Sequence, residues 1–318
     1  MTKTVSALSG GIVVAALFAF TSIAFADSTA VDFESPTYSL GNINGQDGWS
    51  KTGAYDVEIV ANSYGIPAFD AQTLRFSNAV TSGSFGDQTF SKSLVDEAGE
   101  TDAQNGGMSG GTRQNHFEAE FDIASTVGSE QPGLFMSVSP DRGDGARMSY
   151  LGFDDETDGI HVIFYDVTNP THTTNATSFN LSEIATLDRS LLHTIKLSMD
   201  FVDGPDNDVV NVYIDGTLVH TGTSWENYYR YDTESNPLLV DESRTVDSLL
   251  FRAGGAAAPA NAGFGYLIDN LNLSSSSPTT PPTATDQCKN GGWMTFNNPS
   301  YENQGQCVAA VTSQSANH

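Results

Sequence analysis

Short stretches in which apolar and polar residues alternate recur from Val31 to Leu273, separated by Gly, Asn, Asp and Pro. Alternation with a period of two is typical of strands that bury one face, and turns at this spacing are typical of antiparallel sheets. The pattern predicts about eleven to thirteen strands. Residues 181–192 (LSEIATLDRSLL) are the one candidate for a short helix. We therefore expect an all-β antiparallel sandwich with little helix.

The clearest turn lies within residues 213–218 (YIDGTL), where Asp215 and Gly216 separate two alternating stretches. An Asp-Gly pair between strands favours a type I′ turn, because both central residues of that turn need a positive φ. The sequence therefore predicts a tight β-hairpin at this position.

Residues 115–125 (NHFEAEFDIAS) combine a strand pattern with an acidic row. One predicted face carries Phe117, Ala119, Phe121 and Ile123, and the other carries Glu118, Glu120 and Asp122. The apolar face is expected in the core. The acidic face is either a functional surface or simply the solvated side of a strand.

The first 26 residues resemble an export signal. One lysine, Lys3, precedes an apolar run from Ile12 to Phe20, and Ala24-Phe25-Ala26 has the small-x-small form that signal peptidase cleaves. A membrane anchor is the alternative, but the run is short and no basic cluster follows it. We expect cleavage after Ala26, an extracellular location and no membrane insertion after cleavage.

The composition changes after Leu273 and divides the chain. The predicted parts are a sandwich over 27–273, a Ser/Thr/Pro linker over 274–286, a two-cysteine module over 287–310 and a disordered tail over 311–318. Cys288 and Cys307 are the only cysteines. In an exported protein, such a pair predicts a disulfide.

The charge balance is strongly acidic, with 13 Lys and Arg against 39 Asp and Glu and a formal net charge of −26. A field of that sign repels phosphate backbones and anionic lipids, so nucleic acid and membrane surfaces are poor partners. The same charge suits hard cations such as Ca²⁺.

Three segments resemble a known family of domains. Residues 193–222 (HTIKLSMDFVDGPDNDVVNVYIDGTLVHTG) resemble the strand and hairpin core of laminin-G-like or concanavalin-A-like lectin/glucanase jelly rolls. Residues 31–49 and 247–274 resemble the two ends of such domains in secreted bacterial proteins. The resemblance implies a two-sheet jelly roll whose first and last strands pair. The cysteine module resembles a short module appended to various secreted bacterial proteins, without an established function.

The resemblance also supplies a catalytic pattern for comparison. Glucanases of this shape use Glu-x-Asp-x-x-Glu on one strand, and the matching positions here are Glu120, Asp122 and Ser125. Serine cannot replace the carboxylic acid that donates the proton, so the pattern is incomplete and no catalytic residue is expected. If the protein is an enzyme, Glu120 and Asp122 are the candidates.

Polysaccharide lyases of related shape instead combine Tyr or His with Arg, Gln or Asn on a concave sheet. The available residues are His116, His161, His193, Tyr150 and Tyr165, but no spacing in the sequence links them. A glycoside hydrolase or polysaccharide lyase therefore stays the alternative to a binding protein.

Many sandwiches of this kind tie their first and last strands together with a Ca²⁺ ion. Asp32, Glu34 and Asp269 occupy the matching positions, and their oxygens are hard ligands. The alternative is that Asp269 and Asn270 only accept hydrogen bonds in a turn. A structural Ca²⁺ is the one cofactor expected.

Residues 225–231 (WENYYRY) form a dense aromatic run. Aromatic faces stack on sugars, and flanking polar groups bind hydroxyls, so the candidate ligand-binding residues are Trp225, Tyr228, Tyr229 and Arg230. The alternative is a loop whose rings are buried. The sequence as a whole favours a secreted, non-catalytic protein that binds a polysaccharide or a cell-surface glycan.

Overall fold

Two antiparallel sheets pack face to face in the computed structural model. It describes residues 27–84, 86–94, 114–143, 145–202, 204–238, 246–276, 282–289, 292–296, 301 and 303–315. The signal predicted over residues 1–26 lies outside these residues. Within them the chain forms a nearly all-β, two-sheet jelly-roll sandwich with two α-helices, α1 (Glu226–Tyr231) and α2 (Gln304–Ser315). The predicted fold class is confirmed.

The first sheet has nine strands among the described residues. From edge to edge they are β14 (Thr217–Gly222), β13 (Val209–Ile214), β12 (His193–Asp200), β7 (His116–Ser125), β16 (Tyr266–Ser276), β5 (Gln72–Ser77), β4 (Asp56–Ala61) and β2 (Gly41–Asn42), and β1 (Asp27–Val31) also pairs with β16. The first and last strands are antiparallel, with Val31 opposite Leu271. The predicted pairing of the two ends is therefore present.

The second sheet has seven strands in the described part of the chain. In order they are β11 (Ser178–Leu187), β10 (Gly159–Thr168), β9 (Leu151–Glu156), β8 (Phe135–Asp141), β15 (Ser248–Gly254), β6 (Gln88–Phe90) and β3 (Ser50–Thr52). The two sheets enclose one large core, because their inward side chains belong to a single cluster of buried residues.

Strand β7 lies at the centre of the first sheet, between β12 and β16. Phe121 is fully buried, and its ring centroid lies 6.3 Å from those of Phe153 and Phe251 in the second sheet. The apolar face of the acidic stretch is therefore in the core, as the alternation predicts. Its carboxylates lie on the outer face of the first sheet.

The predicted hairpin joins β13 and β14. Asp215 and Gly216 have φ angles of 51° and 75°, and Ile214 pairs with Thr217. These angles are those of a type I′ turn.

The helix considered for residues 181–192 is wrong. Most of this segment is β11, which pairs with β10 from Ser178 to Leu187. Ile184 and Ala185 pack against the core. Pairing with β10 satisfies the backbone and covers the sheet, and this outweighs the local helix preference.

The C-terminal module is closed by the predicted Cys288–Cys307 disulfide. Both cysteines are buried, and Trp293 and Phe296 pack against them. Helix α2 extends to Ser315, into the segment expected to be a disordered tail, and β16 extends to Ser276, into the segment expected to be linker. No helix among the described residues is long and apolar enough to cross a membrane.

Candidate functional site

The outer face of the second sheet carries polar side chains at its centre. In β8, Met136 and Val138 are in the core, so the alternate residues Ser137 and Ser139 lie on the outer face. Ser137 is opposite Arg252 of β15 on one side and opposite Gly152 of β9 on the other. The register therefore places a hydroxyl and a guanidinium on neighbouring strands.

Aromatic rings adjoin this polar centre. Tyr150, just before β9, lies 4.9 Å from Tyr165 of β10 and is stacked on Trp225 at 6.2 Å with an interplanar angle of 12°. The backbone N–H of Trp225 donates to the carbonyl of Met148 at 2.8 Å, which fixes the tryptophan beside Tyr150. Phe179 of the edge strand β11 is 5.1 Å from Trp225 and is 43% exposed. Together, these four rings form a partly exposed aromatic surface.

Arg147 completes the cluster and is only partly exposed. Burial lowers the pKa of Arg147, and the positive charge of Arg252 lowers it further, while Tyr229, Tyr150 and Asp141 act in the opposite sense. The backbone of Arg147 bridges to Asp141 at the end of β8, the strand that pairs with β15 and Arg252. We call the set of Ser137, Arg147, Tyr150, Tyr165, Trp225 and Arg252 the arginine–tyrosine site.

The phenol of Tyr150 is kept in its neutral form. Burial raises the pKa of Tyr150, and its contact with Ser137 and the charges of Arg252 and Arg147 offset this only in part. At neutral pH the phenol keeps its proton. Tyr150 is accordingly available as a hydrogen-bond donor at this site.

The residues of the aromatic run predicted from the sequence differ in their burial. Trp225 and Tyr228 are half-buried at the arginine–tyrosine site, with ring centroids 6.0 Å apart. Tyr229 is 6% exposed and donates its hydroxyl to the carbonyl of Arg147 at 2.9 Å. Arg230 donates to the carbonyl of Gly204 at 2.9 Å and lies 3.4 Å from Glu226. Of the predicted ligand-binding residues, Trp225 and Tyr228 carry the partly exposed rings.

Sequence reasoning named Tyr150 and Tyr165 without a link between them, and it missed Ser137, Arg147 and Arg252. These residues are brought together by the register of β8, β9, β10 and β15, and that register cannot be read from the spacing of residues along the sequence. One signal was available: Arg252 is a lone charge within the apolar stretch SLLFRAG (residues 248–254). A charged residue at an alternate position of a buried strand marks its outward face.

The carboxylates of β7 lie on the opposite side of the sandwich. Glu120 is exposed, whereas Asp122 accepts hydrogen bonds from Thr194 at 2.6 Å and Asn270 at 2.9 Å. Ser125, at the position of the missing acid, donates to the carbonyl of Val127 at 2.8 Å. Glu118 pairs with Lys196 at 2.7 Å. These contacts are those of a solvated strand face tied to its neighbours.

The carboxylates at the paired chain ends form a second cluster. Asp269 is 2% exposed, and its Oδ2 atom has no hydrogen-bond partner among the described residues. Burial raises the pKa of Asp269 to about 8, and the charges of Glu34, Asp32 and Asp70 add to this effect. Glu34 accepts the backbone N–H groups of Ala71 and Gln72 through Oε1, both at 2.7 Å, so it also fixes the neighbouring loop.

The side chains of this cluster offer hard oxygen ligands, the type that Ca²⁺ takes. A buried carboxylate oxygen with no donor, close to other carboxylates, is stabilised by a bound divalent ion. Among the described residues, no three His, Cys, Asp or Glu side chains are close enough to bind a metal by themselves. Backbone carbonyls or water would have to complete the ligand set, and Ca²⁺ accepts both.

Comparisons with known proteins give distant structural similarities only. No protein-family model matches the chain, and no curated protein matches it. The similar solved structures include the following three. A sialidase has 12% identity and a TM-score of 0.37, covering 76% of this chain and 17% of the sialidase.

The second is an endo-β-1,4-glucuronan lyase from the fungus Trichoderma reesei, with 13% identity and a TM-score of 0.41, covering 80% of this chain and 95% of the lyase. The third is an endo-1,3-β-glucanase from Streptomyces sioyaensis, with 13% identity and a TM-score of 0.35, covering 79% of this chain and 90% of the glucanase. All three TM-scores lie below 0.5, so the function proposed below rests on the site itself.

Proposed function

We propose that this protein binds a glycan at the arginine–tyrosine site, on the outer face of its second sheet. The observation that carries the proposal is the stacked pair of Tyr150 and Trp225, partly exposed beside Ser137 and Arg252. Flat rings with polar groups at their edges bind sugars, because the ring faces cover C–H groups while the polar groups bind hydroxyls.

Binding is favoured over catalysis by the placement of the available acids and bases. Tyr150 lies beside the second sheet, whereas Glu120 and Asp122 belong to the first, so these groups do not form one acid–base set. Ser125 stands where a glycosidase of the predicted pattern would need its acid. Release of reducing ends or unsaturated sugars from a polysaccharide panel, abolished by Glu120→Gln or Tyr150→Phe, would contradict this part of the proposal.

Trp225→Ala is expected to weaken glycan binding about fivefold, because stacking on one ring contributes on the order of 1 kcal/mol. Isothermal titration calorimetry against the glycan that binds best on an array measures the effect. Phe179→Ala, at a more exposed ring, should weaken binding less.

Tyr213→Ala is the matched control, because Tyr213 belongs to β13 of the first sheet. Thermal melting of each variant separates loss of the site from loss of the fold. If the folded variants Trp225→Ala and Phe179→Ala bound the glycan with unchanged affinity, the proposed location of the binding site would be wrong. If no glycan on the array bound, the proposed function would be wrong.

We also propose that Ca²⁺ binds at the chain ends, with Asp269 as its central ligand and Asp32 and Glu34 beside it. The support is the burial of Asp269 and its unpartnered oxygen. Asp32 directly follows the residue of β1 that pairs with Leu271, so an ion there would hold β1 against β16. Its role is structural.

We propose an extracellular setting for this binding. The Cys288–Cys307 disulfide supports it, because such bonds persist in oxidising compartments. The export signal predicted over residues 1–26 agrees with it.

A further inference from the structure

We propose that the glycan-binding surface has a second stacking site, formed by the rings of His172 and Tyr231. An extended sugar chain reaches this pair, which we call the histidine platform, from the rings of Trp225 and Tyr228. This inference rests on the proposed glycan-binding function and adds to it a second subsite and a requirement for a long ligand.

The two rings of the histidine platform are stacked. Their centroids are 5.4 Å apart, and the angle between their planes is 9°. The side chain of His172 is 45% exposed, whereas Tyr231 is only partly exposed. The outer ring face of His172 is therefore the one that faces solvent. A flat, exposed ring face that is backed by a second ring offers a surface on which the C–H groups of a sugar can pack.

Both the backbone and the side chain of His172 are held in place. Its φ angle is 50°, in the left-handed region that non-glycine residues rarely adopt, and its N–H donates to the carbonyl of Asn169 at 2.9 Å. The Nε2 atom of His172 is hydrogen-bonded to Asp206, and Asn227 donates to the same carboxylate. A ring that is fixed in the free protein loses little side-chain entropy on binding. Backbone strain at such an exposed ring supports a binding role, because strain is concentrated at ligand sites.

The histidine platform adjoins the aromatic residues at the other end of α1. Tyr228 and Tyr231 are three residues apart in this helix, so their side chains lie on the same helix face. At a rise of about 1.5 Å per residue, their backbone positions are about 5 Å apart along the helix axis. The ring centroid of Tyr228 is 6.0 Å from that of Trp225. One oligosaccharide is therefore long enough to contact both stacking sites.

Residues 172–179 run along α1 and connect the two ends of this surface. At one end, the backbone N–H of Asn175 donates to the carbonyl of Tyr231 at 2.9 Å. At the other end, the ring centroid of Phe179 lies 5.4 Å from that of Tyr228. A sugar chain that follows this segment meets the two stacking sites in turn.

Polar groups beside the histidine platform can bind sugar hydroxyls. Thr171 and Thr173 flank His172 in the sequence and are exposed, and their hydroxyls are hydrogen-bonded to each other at 2.7 Å. Each hydroxyl can donate and accept, so it can exchange this bond for one to a ligand hydroxyl. The platform therefore combines an apolar ring face with polar groups at its edge, the combination found in small-molecule sites.

The dependence of affinity on ligand length tests the inference. The probes are cello-oligosaccharides and laminari-oligosaccharides, from disaccharide to hexasaccharide, together with the same series from the glycan that binds best on an array. Isothermal titration calorimetry measures each affinity. We expect the hexasaccharide to bind about fivefold more tightly than the disaccharide, because it reaches one more stacking site.

His172→Ala should abolish this difference between the long and the short ligand. His172→Phe should retain most of it, because phenylalanine keeps a flat ring although it cannot bond to Asp206. His116→Ala is the matched control, because His116 is hydrogen-bonded to Asp200 at 2.7 Å on the first sheet. Thermal melting of each variant shows whether it is folded, and His172→Phe keeps the test decisive if His172→Ala melts early.

The outcomes separate the inference from the proposed function. If the long and the short ligand bind equally tightly, or if His172→Ala leaves their difference unchanged, the second stacking site is contradicted and glycan binding stands. If no oligosaccharide and no glycan on the array binds, both proposals are contradicted. A gain with length that His172→Ala removes, and that His172→Phe and His116→Ala retain, supports the histidine platform.

Discussion

Replacement of Arg189 by Met is expected to lower the free energy of unfolding by about 3–5 kcal/mol, because it leaves a buried carboxylate without its counter-charge. Arg189 donates to Asp155 Oδ1 through Nε at 2.7 Å and Nη2 at 2.5 Å. It also donates to the carbonyls of Glu156 and Gly159. The side chain of Asp155 is fully buried. Urea denaturation at neutral pH measures the change.

The pH dependence of this deficit identifies its cause. Burial raises the pKa of Asp155 from its ordinary 3.8 even though Arg189 and Gln131 oppose the rise. Without Arg189 the native state should hold the Asp155 proton more tightly still. Above about pH 4 the unfolded state releases that proton, so the deficit of the variant should grow with pH. Below about pH 4 both states are protonated, and the deficit should shrink.

Lys92→Met is the control for loss of a basic residue. Lys92 pairs with Asp47 at 3.0 Å, but the two side chains are 41% and 30% exposed, so the expected change is within about 1 kcal/mol. If Arg189→Met lowered the free energy of unfolding as little as Lys92→Met does, or by an amount independent of pH, the buried pair of Arg189 and Asp155 would not be the source of the stability.

Metal-free protein is expected to lose on the order of a few kcal/mol of stability as the pH rises from about 4 to about 8, and Ca²⁺ is expected to restore it. The pKa of Asp269 is about 8 in the folded protein against an ordinary 3.8. Between these values the folded state keeps a proton that the unfolded state releases, so rising pH favours unfolding. Calcium binds the carboxylate form and therefore removes the penalty.

Melting temperatures in EDTA and in Ca²⁺, at about pH 5 and about pH 8, measure this effect. Asp269→Asn should abolish both the fall with pH and the response to Ca²⁺. Asp286→Asn is the control, because the side chain of Asp286, at the end of the predicted linker, is 84% exposed. If the melting temperature at the higher pH were the same in EDTA and in Ca²⁺, the proposed cation site would be contradicted. The decrease in melting temperature with pH in EDTA tests the burial of Asp269 separately.

The sequence was most informative where local chemistry decides structure. Asp215-Gly216 predicted its turn because few residue pairs tolerate two positive φ angles. The alternation of residues 116–123 predicted which side chains of β7 enter the core, because the period of a strand allows only two faces. The helix prediction for residues 181–192 was wrong for the opposite reason, because pairing with β10, and not local chemistry, decided their conformation.

The candidate site depended on contacts between distant segments. Ser137, Tyr150 and Arg252 become neighbours through strand register, which is a property of the folded sheet. The chain-end carboxylates were easier to predict, because the resemblance already paired the first and last strands. Asp32, Glu34 and Asp269 as a ligand set stay a prediction, whereas the burial of Asp269 appears only in the structure.

The position of β16 has a consequence for the order of folding. This strand is the last of the sandwich along the chain, yet it lies between β7 and β5 and also pairs with β1. The central strand of the first sheet is therefore missing until residues 266–276 have been synthesised. The contacts of β16 join segments that are far apart in sequence. Cooperative folding must wait for almost the whole domain, and a chain interrupted before Tyr266 would expose the unpaired edges of β5 and β7, which favours aggregation.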